Sequence, residues 1–326
     1  MADRKLRVAV IGAGGMSTAV HLPSLVRIPE CELVGLSDLD DRRLVENADR
    51  HLIPVRDANY VTMLEQSVPE AVYIILRPQH MFEVAVHCMK VGLHVFTEKP
   101  PGIHAQQTRQ LAWWAERRGV MSMVGFNRRF IPVLVEARRR VESAGPIHQC
   151  EVAFHKNQVT ETQYYDGAID LLRCDAVHAV DALRWLGGEV RSVASTVDRR
   201  AGVSYPNAHN ALMRFENGAV GILNTNWACG RRVHTFEMHS VGVSAYVDAN
   251  DRAVIYRGET DVTELTATGV AGSDEFRVYY GFKAQSEHFI RSVLAGVQPQ
   301  PSFQDAVKTM ELCDRILTSD LGGGTT

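Results

Sequence analysis

The stretch Leu6–Ser17, LRVAVIGAGGMS, restricts the fold of this chain more than any other. A short β-branched run ends in glycines and passes directly into a segment with Ala19, Leu22, Leu25 and Val26 at helical spacing. Gly12 permits a tight turn, Gly14 lets a ligand approach the backbone, and the helix that follows opens with unpaired N–H groups suited to an anion. The order matches Gly-x-Gly-x-x-(Gly/Ala), with Ser17 in the third place. Glycine triplets also occur in plain turns, so the context decides. Here Asp38 closes the next apolar run, ELVGLSD, 26 residues after Gly12, where a carboxylate accepting from the adenosine ribose is expected. Gly12, Gly14, Gly15, Met16 and Asp38 are therefore candidate contacts of a dinucleotide. Leu39 rather than Arg follows Asp38, which favours NAD, while Arg42 and Arg43 leave NADP open.

Further apolar runs follow at AVYIIL (71–76), HVFTE (94–98) and MSMVGF (121–126), separated by helix-like stretches. Continuous apolar strands alternating with helices give a parallel sheet covered on both faces. After Asn127 the rhythm changes to β-like runs joined by short turns, such as Glu216-Asn217-Gly218, which points to antiparallel pairing. The expected fold is α/β: an N-terminal Rossmann doubly wound parallel sheet over residues 1–126, then an α+β domain over 127–326 with a large, mainly antiparallel open sheet. The second domain is expected to bind substrate and to mediate self-association. A chain of 326 residues with 45% hydrophobic and 22% charged residues can fill two such cores.

A net charge of −3 gives no electrostatic case for nucleic acid or an anionic membrane surface. The run Arg138-Arg139-Arg140 reads as one solvated helix face. Six cysteines without a Cys-x-x-Cys pair suggest neither a zinc ribbon nor a disulfide framework. The amino terminus lacks a leader pattern, and no apolar run nears the roughly 20 residues a bilayer needs. A cytoplasmic location is expected.

Two further stretches carry chemistry. In FTEKPPG, Lys99 follows a short strand and precedes two prolines. A lysine at the carboxyl end of a parallel strand enters the crevice where open α/β sheets bind ligands, and the proline confines it to extended geometry. In IDLLRCDAVHAVDALRWLGG, the residues Cys174, Asp175 and Asp181 lie three or four positions from His178, on one side of an α-helix. Cys174 and His178 lack the further ligands zinc requires, so no metal is expected.

With glycine loop, acid and Glu-Lys-Pro in order, the chain resembles the Gfo/Idh/MocA oxidoreductases, the glucose-fructose oxidoreductase and inositol dehydrogenase family, nearly end to end. The resemblance implies that Lys99 lies where nicotinamide meets substrate and steadies the developing alkoxide. It also implies that His178, matching Asp-x-Gly-x-His-x-x-Asp together with Asp181, is the general acid or base. Glu98, Arg77, Pro78 and His80 fall on the cofactor side; Asn127, Arg128, Tyr164, Tyr165, Cys174 and Asp175 fall on the substrate side. Departures are visible. Arg77-Pro78 replaces the usual Thr-Pro, Cys174 stands where an aspartate is usual, Ala176 replaces the glycine, and Asp175 is displaced by one residue, about 100° around an α-helix.

The implied activity is hydride transfer between NAD, or NADP, and a secondary alcohol or ketone carbon of a sugar, cyclitol or glycoside. Two alternatives stand beside it. One is transient oxidation leading to epimerisation, elimination or glycoside cleavage; the other is a non-catalytic dinucleotide-binding sensor, which the missing aspartate makes plausible and the intact Lys99 and His178 speak against. A homodimer or homotetramer is implied.

Overall fold

The computed structural model describes residues 4–322. It comprises two compact units, one ending at Phe126 and taking up Phe282–Val307, the other spanning Asn127–Gly281 and resuming at Lys308.

The first unit holds strands β1 (Leu6–Ile11), β2 (Cys31–Ser37), β3 (Val55–Arg56), β4 (Ala71–Ile74), β5 (His94–Thr97) and β6 (Ser122–Val124). Between them lie helices α1 (Leu22–Leu25), α2 (Asp41–Arg50), α3 (Tyr60–Ser67), α4 (Pro78–Lys90) and α5 (Ala105–Arg118). The sheet order is β3-β2-β1-β4-β5-β6, parallel throughout. Strand addition reverses between β1 and β4, so the glycine loop after β1 lies at the topological switch point. Residues 71–74 of β4 are all buried, as expected of a central strand covered on both faces. Short polar signals end the helices: α2 starts at Asp40, whose side chain accepts from the Arg43 N–H, and α5 stops at Gly119 with φ of +63°.

The second unit holds β7 (Gln149–Asn157), β8 (Val190–Asp198), β9 (Ala208–Phe215), β10 (Val220–Asn226), β11 (Ala228–Ser240), β12 (Val243–Asp248), β13 (Arg252–Arg257) and β14 (Asp261–Thr266). Its helices are α6 (Pro132–Glu142), α7 (Val177–Gly187), α8 (Ala267–Ala271) and α9 (Phe276–Tyr279). The sheet order is β14-β13-β12-β11-β7-β10-β9-β8. Every neighbouring pair is antiparallel except β7 with β10. Cys150, Val152 and Phe154 of β7 alternate with less buried residues, and their partners Met238, Phe236 and His234 on β11 are buried. That inner face packs against α7, most of whose residues are buried.

One boundary differs from the expected continuous second domain 127–326. Helix α10 (Phe282–Ala295) belongs to the first unit, because Phe289 packs edge-on against Tyr73 at 5.5 Å and Phe96 at 5.8 Å. The Val124 N–H also donates to the Pro301 carbonyl at 2.9 Å. Helix α11 (Phe303–Thr318) then crosses the boundary between the units. No helix among the described residues is long and apolar enough to cross a membrane.

Candidate active site

The loops at the carboxyl end of the parallel sheet carry the first group of expected residues. Gly12 has φ of +102°, and a Cβ there would lie 2.2 Å from the Ile75 carbonyl oxygen beyond β4. Only glycine fits, because the turn presses against the exit of the neighbouring strand. At Gly14 and Gly15, by contrast, a Cβ would meet nothing within 4 Å. That open ground before a helix N-terminus has the form a pyrophosphate requires. Ser17 fills the third glycine place by closing the loop on itself: it is buried, and its hydroxyl donates to the Gly12 carbonyl.

Asp38 ties β2 to this loop. One carboxylate oxygen accepts from the Ala13 N–H at 2.6 Å and the other from the Asp40 N–H at 2.8 Å. Arg43 Nη2 stands 3.7 Å from Asp38, whereas Arg42 is turned to solvent and pairs with Glu46. Arg43 is thus the nearer of the two cations to the ribose corner. These residues fit a dinucleotide. The variant Asp38→Ala is expected to weaken NAD binding about tenfold to a hundredfold, the range of a hydrogen bond to a charged acceptor. Titration calorimetry checks this; a folded variant binding NAD as tightly as wild type removes Asp38 from the ribose.

Met16 is exposed on the loop. Arg77 and His80 are exposed at the start of α4, and Pro78 occupies its first turn, where a missing N–H costs nothing. Glu98 and Lys99 follow β5, and the Lys99–Pro100 bond is cis. Glu98 is buried and engages partners inside the unit: Oε1 meets His21 Nε2 at 2.8 Å, and Oε2 accepts from the Lys99 backbone N–H at 3.1 Å. It braces the backbone from which Lys99 projects. His21 itself is fully buried, edge-on to Phe96 at 5.6 Å. Sequence reasoning passed over His21, since a lone histidine in a helix carries no signal of a carboxylate 77 residues away.

The second group lies around α7. The sequence implied one regular helix from about 169 to 186, but Leu172–Ala176 forms a π turn before α7. The widened turn means that Cys174 and Asp175 do not keep strict α spacing to His178. All three are buried. The Asp175 carboxylate pairs with Lys156 and accepts from the Tyr164 hydroxyl at 2.8 Å, and Trp227 Nε1 donates to the same hydroxyl at 3.3 Å. Burial, and then the charge of Asp175, pushes the Tyr164 phenol up. Tyr164 and Asp175 are thus brought together, while Lys156 and Trp227 are members the sequence did not disclose. Tyr165 is exposed and, like Asp166, adopts left-handed backbone, with φ of +53° and +57°.

Asn127 is buried, donating to the Tyr280 carbonyl at 2.8 Å and accepting from Arg128 Nη1 at 2.6 Å. Its amide holds the crossing segment in place, and Arg128 rests over the Tyr280 ring at 4.9 Å. Gly281 completes the contact, with φ of +83° and a would-be Cβ 2.7 Å or less from the backbone of Asn127, Phe130 and Ile131. Asp181 is fully buried, gripped by Arg129 through two bonds of 2.8 and 2.6 Å and by the Thr309 hydroxyl at 2.9 Å. Among the described residues no group of three or more His, Cys, Asp or Glu side chains is arranged to hold a metal ion.

Residues 6–126 match the model of the Gfo/Idh/MocA oxidoreductase family, NAD-binding Rossmann fold, and residues 135–241 match the Gfo/Idh/MocA C-terminal domain. Myo-inositol 2-dehydrogenase of Thermotoga maritima is 22% identical over 316 residues, covering 92% of each chain. A dehydrogenase structure from Chromobacterium violaceum superposes with a TM-score of 0.87 at 22% identity, covering 97% of this chain and 96% of that one. Levoglucosan dehydrogenase in complex with NADH and levoglucosan gives a TM-score of 0.84 at 19% identity, covering 98% of both.

Proposed function

The chain belongs to the Gfo/Idh/MocA family of NAD-binding oxidoreductases, and from that premise we propose that it transfers a hydride between nicotinamide and a secondary carbinol or ketone carbon of a sugar or cyclitol. The observation that carries the reading is the cradle of the first unit. Gly12 admits no side chain, Gly14 and Gly15 leave open ground, and Asp38 is anchored beside them, in the same unit whose β5 delivers Lys99. Relatives named for inositol and levoglucosan suggest the substrate class.

When bound, the nicotinamide supplies the hydride acceptor or donor; the protein contributes position, charge and a proton path. The Lys99 ammonium steadies the oxygen as negative charge develops on it. His178 takes or returns the hydroxyl proton, a step worth roughly 10² to 10⁴ in rate for a well-placed general base. Asp38 accepts from the adenosine ribose and disfavours a 2′-phosphate, so NAD is the preferred cofactor, with Arg43 the residue through which NADP would be accommodated. We place the enzyme in the cytoplasm as a homo-oligomer. Leu212, Tyr246 and Tyr256, exposed at strand positions that alternate with buried ones, give the large sheet an apolar outer face suited to pairing.

The test is to follow the absorbance of reduced nicotinamide while sugars and cyclitols are screened with NAD and NADP. Net reduction with any of them supports the dehydrogenase reading. Altered products without net absorbance change would move the enzyme to transient oxidation, and cofactor binding with no conversion at all would leave only a sensor.

A further inference from the structure

We propose that Gln285 and Ser286 of α10, together with Tyr73 of β4, are positioning residues for Lys99: through one internal water molecule they hold the Nδ1 side of the His21 ring. The inference deepens the proposed function, relying on it for the role of Lys99 though not for the water or the setting of the ring.

Every residue involved lies inside the first unit. His21 Nε2 meets Glu98 Oε1 at 2.8 Å, and Glu98 Oε2 takes the Lys99 backbone N–H. A carboxylate only accepts, so Nε2 carries the proton of that bond and Nδ1 is the nitrogen left to be satisfied. It is buried and has no protein partner. What one ring nitrogen of a histidine does is set by the bond the other makes, so whatever meets Nδ1 also governs the grip on Glu98.

Helix α10 supplies the neighbours. Phe282 meets the His21 ring edge-on at 6.2 Å, and Phe289, seven positions on, meets Tyr73 edge-on at 5.5 Å. Residues 285 and 286 fall between them on the same helix face, and the His21 and Tyr73 rings lie 6.0 Å apart, so the polar part of that face is turned toward both rings. His21, Tyr73, Gln285 and Ser286 are all fully buried. Yet His21 Nδ1, the Tyr73 and Ser286 hydroxyls and both polar atoms of Gln285 make no hydrogen bond to a protein group. The buried serines Ser24 and Ser67 each donate to the carbonyl four residues back, at 2.6 Å; Ser286 does not, so its hydroxyl is turned elsewhere. Burial holds the Tyr73 phenol well above its ordinary range, opposed at close range by the Ser286 hydroxyl. The two oxygens are near neighbours without the alignment of a direct bond, and the phenol stays protonated, able to donate and to accept. Polar groups gathered in a close-packed core at a costly distance from direct bonding are what an internal water resolves, since it makes about two to four hydrogen bonds and both donates and accepts. With that water on Nδ1 the imidazole is held at both ends, and the carboxylate beneath Lys99 is held with it.

Diffraction from crystals of the NAD-loaded protein should show one water within hydrogen-bond reach of His21 Nδ1 and Ser286 Oγ. Histidine-selective nitrogen NMR, with the His21 signal assigned by its loss in His21→Leu, should report the proton on Nε2. Gln285→Met keeps the length of the side chain and Ser286→Ala removes only the hydroxyl, so both should fold. Each is expected to lower the melting temperature by about 2 °C or more and to displace the His21 signal. Each should also lower kcat by roughly threefold to tenfold, the range of one lost hydrogen bond, with NAD affinity changed less. Ser286→Thr, which restores a hydroxyl, should recover part of the loss. A melting temperature that rises in Gln285→Met overturns the proposal, because deleting an amide that has no partner relieves the core, whereas deleting one that holds a water does not. A dry site, or a His21 signal unmoved in both variants, overturns it equally. If no sugar or cyclitol is turned over, the dehydrogenase reading fails, while the water, the His21 signal and the melting shifts still decide this inference. Turnover that is present in wild type and unchanged in both variants counts against the positioning role alone.

Discussion

Lys99→Met is expected to cut turnover by about 10²-fold or more while changing NAD affinity only a few-fold. Methionine keeps the unbranched stem and removes the ammonium, so packing after β5 is preserved and only the charge is lost. An interaction that strengthens as the oxygen gains charge lowers kcat and kcat/KM together when it is removed; one made equally to bound substrate raises KM alone. Steady-state kinetics on the best substrate of the screen separate the two. Unchanged turnover in Lys99→Met would end the assigned role. The brace beneath Lys99 gives a companion expectation: His21→Leu strips Glu98 of its buried partner while leaving Lys99 in place. It should therefore lower activity less than Lys99→Met does, and it should lower the melting temperature as well.

Asp181→Ala is expected to destabilise the protein by about 3–5 kcal/mol, the usual consequence of leaving one member of a buried ion pair behind. Arg129 would lose both of its bonds to the carboxylate, and the Thr309 hydroxyl its acceptor. Urea unfolding monitored by fluorescence measures the change. Replacing both partners, as in Arg129→Met with Asp181→Leu, should cost less than the single change, because no uncompensated charge remains. If Asp181→Ala folds as stably as wild type and fails only in catalysis, the aspartate belongs to the histidine's machinery after all.

The same residue shows where sequence reading reaches its limit. Asp181 fitted a motif as neighbour of a catalytic histidine, and its true partner, Arg129, lies 52 positions away. Local patterns reveal local structure: β1, β2, β4 and β5 were legible as apolar runs, and Gly12 as a turn only glycine can make. Strand β3 is two residues long, and β14, DVTELT, is largely exposed, so neither has the apolar pattern by which a strand is recognised. The switch of residues 282–307 into the first unit depends on which core an amphipathic helix finds, a non-local choice. So too the site: Lys99, His178, Tyr164 and Asp175 were named from motif and loop position. Lys156 is an ordinary strand residue of β7, and Trp227 an ordinary residue of the bend between β10 and β11, until the sheet aligns them. The π turn ahead of α7 has no residue signature that separates it from an α turn.

Gly281 has a wider consequence. Since no side chain separates its backbone from that of Asn127, Phe130 and Ile131, the polypeptide first enters the second unit and first leaves it at one place, before α11 carries it back at Lys308. The stretch from 127 to 281 is thus built like a cassette, its two ends pressed together, the arrangement that lets a folded module be spliced into another without disturbing it.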